Sequence, residues 1–157
     1  MPSKIWNTMN TETILQNLSL ITPELIVVGT LCTVLIAHLL ARKNAQLMMI
    51  LSVAGLFAAL FSLTGQISTD VSAFSGMLSV DPFATYFKIV IVLATIVVAV
   101  MSRFSTEVND EHATIGEYYF LILSMAVGMM FMVGSSNLIM MYLTLELAGL
   151  TSYIASG

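Results

Sequence analysis

Five apolar runs of about 20 residues, separated by short polar segments, leave this chain only a lipid bilayer as its solvent. They cover about 23–41, 46–65, 82–102, 117–133 and 138–155. At 1.5 Å per residue each reaches about 25–31 Å, the depth of a hydrocarbon layer. The runs are apolar all round instead of alternating, so helices are predicted and membrane strands are not. Composition agrees: 58% of residues are hydrophobic and 9% charged, where a soluble domain carries about 25% charged residues. The fold class expected is an all-α membrane protein of about five transmembrane helices. Residues 1–22, which lack the basic start and short apolar core of a secretory signal, read as an amphipathic segment at the interface or, equally, as a frayed polar tail. Ile14, Leu15, Leu18 and Ile21 make a helical stripe there, with Trp6 near the headgroups.

Several helix starts are written in the sequence. Thr22-Pro23-Glu24 supplies a capping hydroxyl, a proline at the first helical position and an acid at the positive end of the dipole. Asp81-Pro82 repeats the acid-plus-proline signal. Gly134 to Asn137 reads as a tight turn, and 66–80 as a Gly- and Ser-containing loop. Arg42, Lys43 and Arg103 fall on one side if the spans alternate, and 66–80 and 134–137 carry no Lys or Arg. The positive-inside rule then places the N-terminus outside, with Lys4 opposing weakly.

The sequence excludes much chemistry. Five Lys and Arg make no patch for nucleic acid. One cysteine, Cys32, allows no intrachain disulfide and no metal-ligand spacing. There is no Gly-rich nucleotide loop, no haem motif and no iron–sulfur cysteine set, so no cofactor and no metal are expected on this chain. His38 and His112 read as interfacial or solvated, and Glu107, Asp110 and Glu111 as a solvated loop. The methionines of 125–141 read as adaptable packing, and Gly128 and Gly134 as points of close approach or turning.

Glu146 stands apart. Nine residues beyond Asn137 it lies about 13–14 Å along the fifth helix, near half-depth. An ionised carboxylate there costs about 2.5–3.5 kcal/mol on insertion scales, and glutamate is too short to reach the interface. It must be protonated, paired with a cation or wet. Tyr142, Glu146, Gly149 and Tyr153 share one helix face, a polar stripe expected to face protein or a file of water. Glu146 is the candidate proton-relay residue, with Tyr142, Tyr153 and Lys88 as possible accessories. A structural polar clamp between helices is the other reading. Lys88, about 9 Å into the third helix, is expected to snorkel to the interface. Glu24 and Glu117, in first turns, are explained by the helix dipole.

Three stretches resemble subunit N of the proton-pumping NADH:quinone oxidoreductase, respiratory complex I. They are Pro23-Glu24-Leu25, the run from Gly76 through Asp81-Pro82-Phe83 to Lys88, and Gly116-Glu117-Tyr118-Tyr119 leading into Leu145-Glu146-Leu147-Ala148-Gly149-Leu150-Thr151-Ser152-Tyr153. The last is the most specific, and the resemblance runs over essentially the whole chain. It implies the N-terminal part of a fourteen-helix antiporter-like fold. In that family a fifth-helix glutamate pairs with a lysine on a later helix and modulates its proton affinity, which assigns that role to Glu146. It also implies a role in coupling electron transfer from NADH to quinone with proton translocation. FMN and iron–sulfur clusters would then lie in other subunits, with quinone as substrate of the whole complex. The partners implied are other membrane-arm subunits and the bilayer, and the location a multi-pass protein of the inner (plasma) membrane. Family members are about three times longer, so a chain ending at Gly157 is expected to have no activity alone. The competing readings are a subunit of an Mrp-type cation/proton antiporter, which shares the carboxylate logic, and a nonfunctional truncated fragment.

Overall fold

A computed structural model describes residues 18–40, 45–67, 70–73, 76–102 and 115–156. The proposed N-terminal amphipathic stripe up to residue 17, Arg42, Lys43, Arg103 and the acidic 107–112 segment with His112 lie outside these. The elements are α1 (Thr22–Leu40), α2 (Ala45–Thr64), β1 (Val71–Ala73), β2 (Leu78–Val80), α3 (Pro82–Met101), α4 (Ile115–Gly134) and α5 (Leu138–Ser156). Each helix is long and apolar enough to cross a membrane, so the chain is a multi-pass membrane protein of the expected class.

α1 packs mainly on α2 and α4, and α3 packs on the same two helices. The first four helices therefore form a bundle in which α1 and α3 stand at opposite corners. The shared core comes from Val27 and Val34, Leu56 and Leu63, Val92, and Leu123 and Met130. α4 is the central helix, half of its apolar window buried, whereas α5 packs on α4 and has only 11% of its window buried. Gly128 explains the α4–α5 contact: a Cβ there would lie 3.0 Å from the Ala148 backbone nitrogen. Small residues of this kind let membrane helices approach without a hydrophobic drive.

Hydroxyls in the helices turn back on their own backbone, the available solution where water is scarce. Ser52 donates to Met48 O, Thr95 to Ile91 O, Thr144 to Met140 O and Thr151 to Leu147 O, at 2.7–2.9 Å. Tyr119 OH instead joins helices, donating to Ala99 O (3.2 Å) and lying 3.0 Å from the Ser102 hydroxyl, which donates to it.

Helix starts follow the sequence only in part. Asp81 caps α3, its Oδ1 accepting from Ala84 N at 2.6 Å, with Pro82 at the first position. Asn137 Oδ1 accepts from Ile139 N at 2.9 Å and opens α5. Thr22 does not cap. Residues 18–20 are already helical, and the Thr22 hydroxyl donates backward to Ser19 O at 2.7 Å. A cap requires a non-helical residue before the first turn, and a preceding turn removes that condition.

The segment read as a loop contains a small antiparallel hairpin, with Val71 opposite Val80 and Ala73 opposite Leu78. Gly76, at φ 86°, turns the chain between its strands, a conformation that costs other residues about 1–2 kcal/mol. Leu78 also bridges Ser135, and Ser136 N donates to Met77 O at 3.0 Å. The hairpin is thereby laced to the α4–α5 turn. It closes one end of the bundle, here called the hairpin end, where α1, α3 and α5 begin and α2 and α4 finish.

Candidate functional site

The bundle interior at the hairpin end holds the one ion pair among the described residues. Lys88 Nζ lies 2.6 Å from Glu24 Oε1, and both side chains are fully buried. Glu24 stands two residues into α1, and Lys88 six residues into α3. Helical side chains lean toward the N-terminus, so the lysine stem runs toward the hairpin end. Because α1 and α3 occupy opposite corners, that long stem crosses the centre of the bundle to reach the acid.

This corrects two expectations. Lys88 extends toward the interface as a snorkelling lysine does, but it ends on Glu24 and not in water. Glu24 is likewise not explained by the dipole at a wet helix end, since an opposite charge buried beside it dominates over about 0.3–1 kcal/mol of dipole stabilisation. The walls are close. A Cβ on Gly134, at the end of α4, would lie 3.4 Å from Lys88 Nζ and 3.3 Å from Ser79 O. Gln66, beyond α2, donates through Nε2 to Leu20 O at 3.0 Å, one turn before Glu24.

The energetics do not explain the pair by stability alone. Two apolar side chains of equal volume are often as stable or more stable than a buried ion pair, whereas removing one partner leaves an uncompensated charge. The arrangement holds two opposite charges away from bulk solvent.

Glu146 lies elsewhere. It is the ninth of 19 residues of α5, about 12 Å from the helix start, the middle of that helix. Thr144 and Thr151 are buried and Ala148 meets Gly128, so this stripe faces α4. The opposite stripe carries Tyr142 and Tyr153, 64% and 77% exposed, together with exposed Glu146. The polar stripe thus turns away from the other described helices, and Glu146 has no ion-pair partner among the described residues. Lys88 is committed to Glu24 and is not brought to Glu146. His38 is not solvated. It is 8% exposed, and its imidazole rests on Gly116, where a Cβ would overlap the ring. No cluster of three or more His, Cys, Asp or Glu forms a metal site among the described residues.

No family model matches the chain. Curated relatives do. Subunit N of an NADH-quinone oxidoreductase from Dehalococcoides mccartyi is 36% identical over 141 residues, 89% of this chain and 29% of that protein. Subunit N 2 from Rhizobium meliloti is 37% identical over 136 residues, 86% of this chain and 28% of its own length. Subunit N 2 from Chloroherpeton thalassium is 44% identical over 85 residues, 54% and 17% of the two chains.

Over most of its length the chain is similar to subunit N of NADH-quinone oxidoreductases.

It spans less than a third of the length of the curated subunit N relatives it matches. Within that span it presents two separate carboxylate sites, a closed one at the hairpin end and an open one on α5. The sequence marked the second by its depth. It missed the first because two charges 64 residues apart (88 minus 24) meet only through the diagonal of the bundle. A signal was present in retrospect: an acid and a lysine near helix starts that alternation puts on one side of the membrane.

Proposed function

We propose that this chain is part of a membrane-arm subunit of an NADH-quinone oxidoreductase, where it helps couple electron transfer to proton movement. Glu146 is the proton-relay residue of that reading. What carries it is a carboxylate at half-depth on a helix face that its own bundle leaves uncovered. An unpaired carboxylate cannot stay ionised against acyl chains, so the reading requires a further helix to cover the face and bring a cation, which would tune the proton affinity of both groups. Tyr142 and Tyr153 would line the same contact as hydroxyl donors. Lys88 is better assigned to Glu24 than to this relay. The redox groups, FMN and iron–sulfur clusters, would sit in other subunits and quinone would be reduced by the whole complex; this chain would supply helices, not electrons. An Mrp-type antiporter role has no observation in its favour.

Glu146→Gln in the full-length subunit, within the assembled oxidoreductase, tests this. Quinone-coupled proton translocation should fall by about 100-fold or more, the lower end of what a positioned acid–base group contributes, with the complex still assembled. Unchanged translocation would sink the proposal, and failed assembly would make Glu146 a structural clamp.

The orientation proposed is the hairpin end outside and the N-terminus with it, in the plasma membrane. Asp70 precedes β1 at that end and is exposed. With Cys32 replaced, Asp70→Cys should react with an impermeant thiol reagent in intact cells. Protection there, with labelling only after lysis, would reverse the topology.

A further inference from the structure

The buried hydroxyls of Ser52, Thr95, Thr144 and Thr151 each find a carbonyl, whereas that of Thr85 does not. Thr85 is fully buried, one turn before Lys88 on the same face of α3, and its hydroxyl has no hydrogen-bond partner. Around it the accounting is also incomplete. A lysine ammonium offers three donors and a carboxylate two acceptor oxygens, yet the one contact between Lys88 Nζ and Glu24 Oε1 is close without being aligned as a hydrogen bond. Glu24 Oε2 and Gln66 Oε1 are buried without a protein partner as well. Buried polar groups that protein cannot satisfy are ordinarily met by internal water, typically where two to four of them converge.

We propose that Glu24, Thr85 and Lys88 form a hydrated, proton-sharing site at the hairpin end, separate from Glu146. The step is a proton transfer between the two groups, which lie 2.6 Å apart without hydrogen-bond alignment, relayed by the bridging water. The Lys88 Nζ–H bond breaks with its electron pair left on nitrogen, and an O–H bond forms on Glu24 Oε1. Both side chains become neutral, and no other reactant is needed. Burial disfavours both charges while their mutual attraction favours them. Thr85 stabilises either form through water, as acceptor to the amine or donor to the carboxyl. Few groups compete for the proton. Asp81 is held by Ala84 N and by the Ser79 hydroxyl, which donates to Oδ2 at 3.4 Å. Asp70, Tyr86 and Tyr142 are exposed. The described ends of α2 and α4 bring no ionisable group to the pair.

The test is infrared absorption spectroscopy of the full-length chain in lipid vesicles, read as the H2O-minus-D2O difference at a fixed pH, because the transfer leaves the number of bound protons unchanged. Two variants preserve the fold, since Glu24→Asp keeps the charge and Thr85→Val keeps the volume. The wild type should show a protonated-carboxyl band that shifts in Glu24→Asp, loses intensity or moves in Thr85→Val, and is untouched by Glu146→Gln. Superimposable spectra for wild type and Glu24→Asp in that region would mean that Glu24 never takes the proton. A Glu24 band indifferent to Thr85→Val would remove the hydrated site. Either result overturns the proposal, independently of whether the relay at Glu146 operates.

Discussion

Lys88→Met in the full-length chain is expected to destabilise the bundle by about 3–5 kcal/mol, the cost of stranding one member of a buried ion pair. Glu24 would then sit fully enclosed with no cation. A carboxyl that can take up a proton escapes part of that cost, so a loss near the lower bound would accord with proton sharing at this site. The double variant Glu24→Leu/Lys88→Met should regain most of the loss, because apolar side chains of similar volume replace such pairs at little cost. Reversible unfolding in mixed detergent micelles measures all three proteins. Additive losses, with the double variant no better than the sum of the singles, would show that the two charges do not depend on each other.

The second large effect is steric. Gly55 on α2 lies against Thr30 on α1, where an added Cβ would overlap the threonine Oγ1, Cγ2 and Cβ together. Thr30 cannot swing aside freely. It is β-branched and stiff in a helix, and its hydroxyl is anchored to Ile26 O at 2.8 Å. Gly55→Ala should therefore force α1 and α2 apart at a cost of about 1–3 kcal/mol, the usual range for overpacking. Thr30→Gly in the same chain should recover most of it. Gly29→Ala is the control: nothing lies within 4 Å of its Cβ position, and alanine is the better helix former by about 1 kcal/mol. If Gly55→Ala unfolds like Gly29→Ala, the close α1–α2 contact is not real.

Much of the fold was legible because the bilayer demands long apolar helices and the sequence has five. The α3 start was legible too, since Asp81-Pro82 carries its own local chemistry. Thr22-Pro23-Glu24 misled because the chain just before it is already helical, which takes away the capping position. The hairpin was invisible because three-residue strands are too short to show alternation. Its pairing depends on the α4–α5 turn arriving beside it. For the sites, depth could be counted along a helix but neighbours could not. Counting placed Glu146 at half-depth and grouped it with Tyr142 and Tyr153. It did not say that this stripe would face away from α4. Counting also aimed Lys88 toward the correct end of its helix, but only the diagonal placement of α1 and α3 supplies Glu24 as its terminus.

That diagonal has a consequence for biosynthesis. Glu24 leaves the ribosome 64 residues ahead of Lys88 (88 minus 24), an interval of about 3–13 s at ordinary rates of chain growth. Throughout it the nascent first span carries an acid with no counter-charge, so that span must linger near the headgroups or insert with its carboxyl neutralised. Its final depth is settled only when the third span delivers the ammonium. A ribosome pause between the two would prolong the exposed intermediate and offer it to quality-control proteases.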